Sequence, residues 1–177
     1  QAGVGLQRPL LALRAENAGF STLTASLVMT LYYAGFIVGT RFVGQALAKV
    51  GHIRTFAGLA STASSIVLLQ GLWISPISWG LCRFTFGVCC AALYVVAESW
   101  LNDLASNESR GRILSVYTVI AVGATMGGQY SIGLASTSGF TLFAVASVMV
   151  SMALVPIALS SRTAPPVAVP EPISMRA

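Results

Sequence analysis

From Ile113 to Ser161 the chain carries no charged residue. As one α-helix that run would be about 73 Å long, against about 30 Å for the hydrocarbon core of a bilayer. It has to fold back, and Ser136-Thr137-Ser138-Gly139 supplies the turn residues. The segment predicts two apolar helices, 113–135 and 140–160. Composition agrees with a lipid solvent. Of the 177 residues, 55% are hydrophobic and 8% charged, with mean hydropathy +0.80. A soluble domain is about 25% charged, so this chain lacks the polar groups to coat a water-facing surface.

The remaining spans follow from the same length rule. Residues 22–43 hold one charge, Arg41, near their end; 55–73 hold none. A turn at Ile74-Ser75-Pro76 leads to a helix over 78–101 that contains Arg83. Residues 3–13 are apolar but short and are interrupted by Gln7-Arg8-Pro9. The chain starts at Gln1 rather than Met, so this stretch reads as the tail of a first span that begins upstream. The expected architecture is all-α: a partial first helix plus five full spans over 1–160. Residues 161–177 are Pro-rich and read as a cytoplasmic linker or tail.

Charge gives the orientation. Lys49, Arg54, Arg110, Arg112 and Arg162, with Arg41 at the adjoining helix end, fall on one side. The other side holds only Arg14. The basic side is the cytoplasmic one. A net charge of +5 also suits a nucleic-acid binder, but these residues sit at the ends of apolar runs and form no stripe, so no nucleic acid is expected. Cys82, Cys89 and Cys90 share one apolar run without metal-ligand partners and read as small buried hydrophobes. His52 reads as a surface loop residue. No catalytic constellation is present, and neither enzyme activity nor a cofactor or metal is expected.

Three features rise above this background. Gly44 to Arg54 (GQALAKVGHIR) is a tight basic connection with Gly44 and Gly51 at its bends. It fits either a topogenic loop or a functional one. Arg83 lies inside an apolar helix, with Gly87, Cys90 and Tyr94 within about 40° of its direction. That face suits a polar pathway, to which Tyr32 and Gln129 are further candidates; snorkelling of Arg83 to the outer surface is the alternative. Glu98 lies about 22 Å along the helix from Arg83, so the two cannot pair. Glu98 is expected at the cytoplasmic boundary, within reach of Arg110, Arg112, Lys49 or Arg54, as a gate or as a static ion pair. The pairs Gly35-x-x-x-Gly39 and Gly123-x-x-x-Gly127 offer thin faces for helix packing, as do Gly44, Gly51 and Gly87.

These residues carry a family resemblance. The chain resembles the N-terminal six-helix half of a major facilitator superfamily transporter. The 44–54 connection is similar to the signature loop G-x-L-x-D-R-x-G-R, with Gly44 and Gly51 matching and Ala48 in place of the aspartate. Arg83-x-x-x-Gly87 resembles the fourth-helix motif R-x-x-x-G of proton-coupled members, with Phe86 where glutamine is frequent. The fifth helix lacks the proline of the antiporter motif. Tyr94-Val-Val-Ala-Glu98-Ser-Trp100 through Asn107-Glu108-Ser-Arg110-Gly-Arg112 is similar to a bacterial YcaD-like branch.

The resemblance implies a multi-pass protein of the bacterial inner membrane. It implies a missing C-terminal six-helix half, a small-molecule substrate, protons as a candidate coupling ion, and alternating access. A non-transporting membrane sensor or assembly protein on the same bundle is the rival.

Overall fold

The computed structural model describes residues 1–159, with side chains to residue 157, and these are helical throughout apart from short turns. The expected tail at 161–177 lies outside the described residues. The helices are α1 (Ala2–Asn17), α2 (Thr22–Leu72), α3 (Pro76–Leu104), α4 (Arg110–Tyr130), α5 (Thr141–Ser151) and α6 (Leu154–Leu159). A 3₁₀ turn, Ser131–Leu134, follows α4. Among the described residues, α2 and α3 are each long and apolar enough to cross a membrane.

Several boundaries differ from the sequence expectation. Helix α1 runs through Pro9 and on to Asn17 instead of ending near residue 13. Pro9 removes one N–H from the ladder, but Leu6, Leu10 and Leu11 are fully buried around it and hold the helix together. Residues 14–17, which read from the sequence as the start of a polar link running to Ser21, are thus the last turn of α1. The actual turn is short and is closed by Gly19 at φ 73°.

The expected loop at 44–54 is also largely helical. Gln45, Ala46, Leu47, Ala48 and Lys49 are good helix formers, and Val43 and Leu47 are buried against α3 neighbours. The chain breaks at one residue, Gly51, with φ 79° and ψ 171°. That region of the backbone map is open to glycine alone. Gly51 therefore divides α2 into limbs 22–50 and 52–72. Gly51→Ala is expected to cost about 1–3 kcal/mol, read as a lower melting temperature of the detergent-solubilised protein. An unchanged melting temperature would show that the break is not held by this residue.

Helix α3 starts at Pro76, two residues ahead of the expected 78. The Ser75 hydroxyl accepts from the Ser78 N–H at 3.2 Å, and Pro76 occupies the first turn. The single helix expected over 140–160 is instead α5 and α6, separated at Met152-Ala153. There the Ala153 N–H bonds Val150 O at 3.2 Å and the Val155 N–H bonds Met152 O at 3.3 Å, a tightened turn just ahead of Pro156.

The two limbs of α2 embrace α3, and α1 is wedged against α4 and α5. Packing is tightest at glycines. A Cβ on Gly35 would land on the carbonyl oxygen of Phe84, and one on Gly87 would land on that of Tyr32. A Cβ on Gly39 would stand 2.5 Å from Val88 O. Gly44, Gly51, Gly123 and Gly127 instead face open space among the described residues, so the packing expected of them is not seen. On α4 the close approach belongs to Gly128, whose added Cβ would meet Ala2 O. Gly127 and Gly128 point about 100° apart, and α1 happens to lie on the Gly128 side.

One apolar cluster gathers Leu6, Leu10, Val67, Trp79, Phe86 and Phe143. A second, around Val43, Leu47, Phe56, Ala60, Ala92 and Val96, lies near the Gly51 break.

Candidate functional site: a buried arginine network beside an open groove

Arg83 projects into the bundle and is 4% exposed, so it does not snorkel. Its Nη1 donates to Gln7 Oε1 at 3.4 Å, and Gln7 Nε2 donates to Gln70 Oε1 at 2.6 Å. Both glutamines are fully buried. The Trp79 indole N–H donates to the Gln70 carbonyl at 2.9 Å, which ties the second limb of α2 to the first turn of α3. One polar chain thus joins α1, α2 and α3 inside an apolar bundle.

The network is incompletely satisfied. Arg83 Nε and Gln70 Nε2 have no hydrogen-bond partner among the described residues. No carboxylate lies within 4 Å of the Arg83 nitrogens there. Positive charge is instead met by an aromatic face. The Arg83 Cζ lies 4.6 Å from the Tyr32 ring centroid, a stacking distance for a guanidinium on a phenol. The Arg8 Cζ lies 5.7 Å from the same centroid. Two guanidiniums therefore share Tyr32.

Tyr32 connects this network to an open groove of about 440 Å³ between α1, the first limb of α2 and α3. Arg8, Tyr32, Phe36, Tyr94 and Glu98 line it. The Tyr94 hydroxyl donates to Gln1 Oε1 at 2.7 Å. A second, more enclosed cavity of about 180 Å³ lies deeper, between Phe86, Cys90, Tyr94 and residues of α4 and α5.

The structure thus brings Arg83, Tyr32 and Tyr94 to one region, as their candidacy for a polar pathway requires. Gln129 is not there. It lies exposed in the last turn of α4 and lines none of these cavities. The expected gate is not assembled either. Lys49, Arg54, Glu98, Arg110 and Arg112 are all exposed, and no ion pair joins any of them among the described residues. Glu98 is on α3 as expected, but its side chain lines the groove beside Tyr32. Arg110 and Arg112 open α4, beyond the connection that follows.

The contact at that end involves His52 instead. Expected at the surface, it is 5% exposed. Placed directly after the Gly51 break, its Nε2 lies 3.3 Å from Ser99 Oγ and 3.8 Å from Asp103 Oδ2. Cys89 and Cys90 are buried and all three cysteines are unpaired by disulfides.

Gln7, Gln70 and Arg8 do not stand out as site residues in the sequence. Their signal is present: Gln70 is an amide in a run without charge, and Gln7-Arg8 stands inside α1. A polar group inside an apolar span marks a site by default, but a partner 63 positions away cannot be read from local pattern.

Comparison with known proteins bears on what such a network serves. The family profile described as Major Facilitator Superfamily matches residues 1–176. Similar curated proteins include those named "Uncharacterized MFS-type transporter YcaD" in Salmonella arizonae, Salmonella newport and Salmonella heidelberg. Each is 31% identical over 130 residues, covering 71% of this chain and 33% of the relative. The chain therefore spans about a third of the length of the curated relatives it matches. No solved structure matches. An all-helical bundle, a buried arginine in an apolar helix, a glycine-broken basic connection and a profile match over nearly the whole chain agree, and the chain belongs to the major facilitator superfamily.

Proposed function

We propose that the chain is one helical half of a secondary transporter that moves a small solute across the bacterial inner membrane by alternating access. The observation that carries this reading is Arg83, a buried guanidinium with an unpartnered Nε and no carboxylate within ion-pair distance among the described residues. An apolar side chain would fill the same space at lower desolvation cost. A charge kept there suits a group that meets solute or proton during the cycle.

On this reading the bundle crosses the membrane six times, with the α2 limbs as separate spans and α5 and α6 together making the last. A second six-helix half completes the solute path near the bilayer midplane, and the groove beside Tyr32 is this half's share of it. Protons are the proposed coupling ion, through the Arg83-x-x-x-Gly87 motif. At the cytoplasmic end the contact between His52 and Asp103 takes the place expected for the Glu98 cluster.

The test is uptake or efflux in vesicles that contain the full-length gene product. Arg83→Ala is expected to lower transport about tenfold or more while the protein still folds. Arg83→Lys keeps the charge but not the planar fork, and should fall between. Wild-type transport by the alanine variant would sink the assignment.

A further inference from the structure

Arg83 and the groove are neighbours that do not meet. The groove of about 440 Å³ is lined by Tyr32 but not by Arg83. Arg83 is 4% exposed, and its Cζ lies 4.6 Å from the Tyr32 ring centroid. The ring therefore stands between a buried guanidinium and open space.

The charge behind the ring is loosely held. Its bond to Gln7 Oε1 is 3.4 Å long, beyond the roughly 2.7–3.2 Å of a firm N–H···O bond. The next link, from Gln7 to Gln70, is firm at 2.6 Å. Arg83 Nε has no hydrogen-bond partner, and no carboxylate lies within 4 Å, among the described residues. The face of Tyr32 is what remains to meet the charge.

The backbone and the ring of Tyr32 differ in freedom. The carbonyl is pinned, since a Cβ on Gly87 would land on it. The ring is packed less tightly. The Phe36 and Phe86 rings lie 6.0 and 6.3 Å from it, both tilted, toward the long end of the roughly 4.5–7 Å range of aromatic pairs. Tyr33, at 5.3 Å, is itself 60% exposed. The ring also borders the groove. A change of rotamer can swing it there while α2 and α3 keep their backbone contact.

We infer that Tyr32 is a gate on Arg83. With the ring in place the guanidinium is sealed from the groove; with the ring swung aside it opens to the groove's occupant. Tyr32 is thus a positioning residue that acts through Arg83. The gate stands on the packing alone; its use in a transport cycle rests on the transporter reading above.

The experiment treats the full-length gene product in detergent with methylglyoxal, a small dicarbonyl that modifies guanidinium groups, and reads each arginine's rate by mass spectrometry. In the wild type Arg83 is expected to react slowly but measurably. In Tyr32→Ala it should react about ten- to a thousandfold faster, because an open state populated at roughly 0.1–10% becomes permanent. Arg8, which is exposed, should react readily in both. Tyr32→Phe keeps the ring and should behave as wild type. So should Phe36→Ala, which enlarges the groove but leaves the cover.

The inference is overturned if Arg83 reacts as fast in the wild type as in Tyr32→Ala, if it does not react in the wild type at all, if it stays protected in Tyr32→Ala, or if Phe36→Ala exposes it equally. An unreactive Arg8 would overturn it too, since the groove would then be closed. Tyr32→Val is read in the same way should the alanine variant fail to fold. Loss of the fold in both would mean that the bundle rests on the ring, which then cannot swing. Wild-type transport by Arg83→Ala alongside the expected labelling would sink the transport role of Arg83 and leave the gate standing.

Discussion

Gly35→Val and Gly87→Val are each expected to cost more than about 3 kcal/mol, at or beyond the top of the usual range for overpacking. At both positions the first atom of any side chain would coincide with a backbone carbonyl of the facing helix. A backbone atom cannot rotate away as a side chain can. The first limb of α2 and α3 would have to separate along the contact, and Arg83 would lose its seat on Tyr32, because the Gly87 contact is with the Tyr32 carbonyl itself. In lipid the loss is not offset by a hydrophobic drive to keep helices together, since close van der Waals packing supplies most of the association. Thermal unfolding of the solubilised protein reads the effect. Gly44→Ala and Gly123→Ala serve as controls: both face open space, and each should shift stability by less than about 1 kcal/mol or raise it. Equal destabilisation at all four positions would refute the packing assignment.

Trp79→Ala is expected to lower stability by about 3 kcal/mol. The side chain is fully buried, and its ring meets Phe20 edge-on at 5.3 Å. With apolar lipid as the alternative surroundings, the transfer part of the usual penalty falls away. The cavity and the lost contacts remain, which places the value at the low end for a buried tryptophan. The substitution also removes the N–H that holds the Gln70 carbonyl. Gln70 in turn accepts from Gln7, which accepts from Arg83, so the network should loosen as well as the core. Trp79→Phe separates the two effects: it keeps most of the volume and deletes the hydrogen bond, and about 1 kcal/mol is expected. Wild-type melting of the alanine variant would mean that the first turn of α3 is not held by this side chain.

Much of the helical layout is legible in the amino-acid sequence. The start of α3, within two residues, and the turn between Leu134 and Thr141 lie where Ser75-Pro76 and Ser136–Gly139 indicate. The sequence leaves two readings of Arg83, inward or snorkelling, and burial decides for the first. The differences cluster at helix ends and at rotations about helix axes. Residues 44–50 look like loop because basic residues and glycines are present, yet helix propensity and burial of Val43 and Leu47 carry α2 on to Gly51. Glu98 looks like a partner for the basic residues that follow it, yet the rotation of α3 about its axis puts it on the groove. Gln129 looks like a cavity residue because glycines precede it, and α4 turns it outward.

The division has a physical basis. Hydrocarbon imposes its demands locally: each crossing needs an apolar run of sufficient length, and each reversal needs residues that can break a helix. Those demands are written in consecutive residues, and so are the family motifs around Arg83 and the 44–54 connection. Contacts between helices are not written that way. Which side of α4 meets α1, whether Gly127 or Gly128 makes the contact, and how Gln7 comes to bond Gln70 all depend on the rotation and tilt of packed helices. The Arg8–Tyr32–Arg83 stack and the groove it shares with Glu98 exist only once three helices from distant parts of the chain are placed side by side.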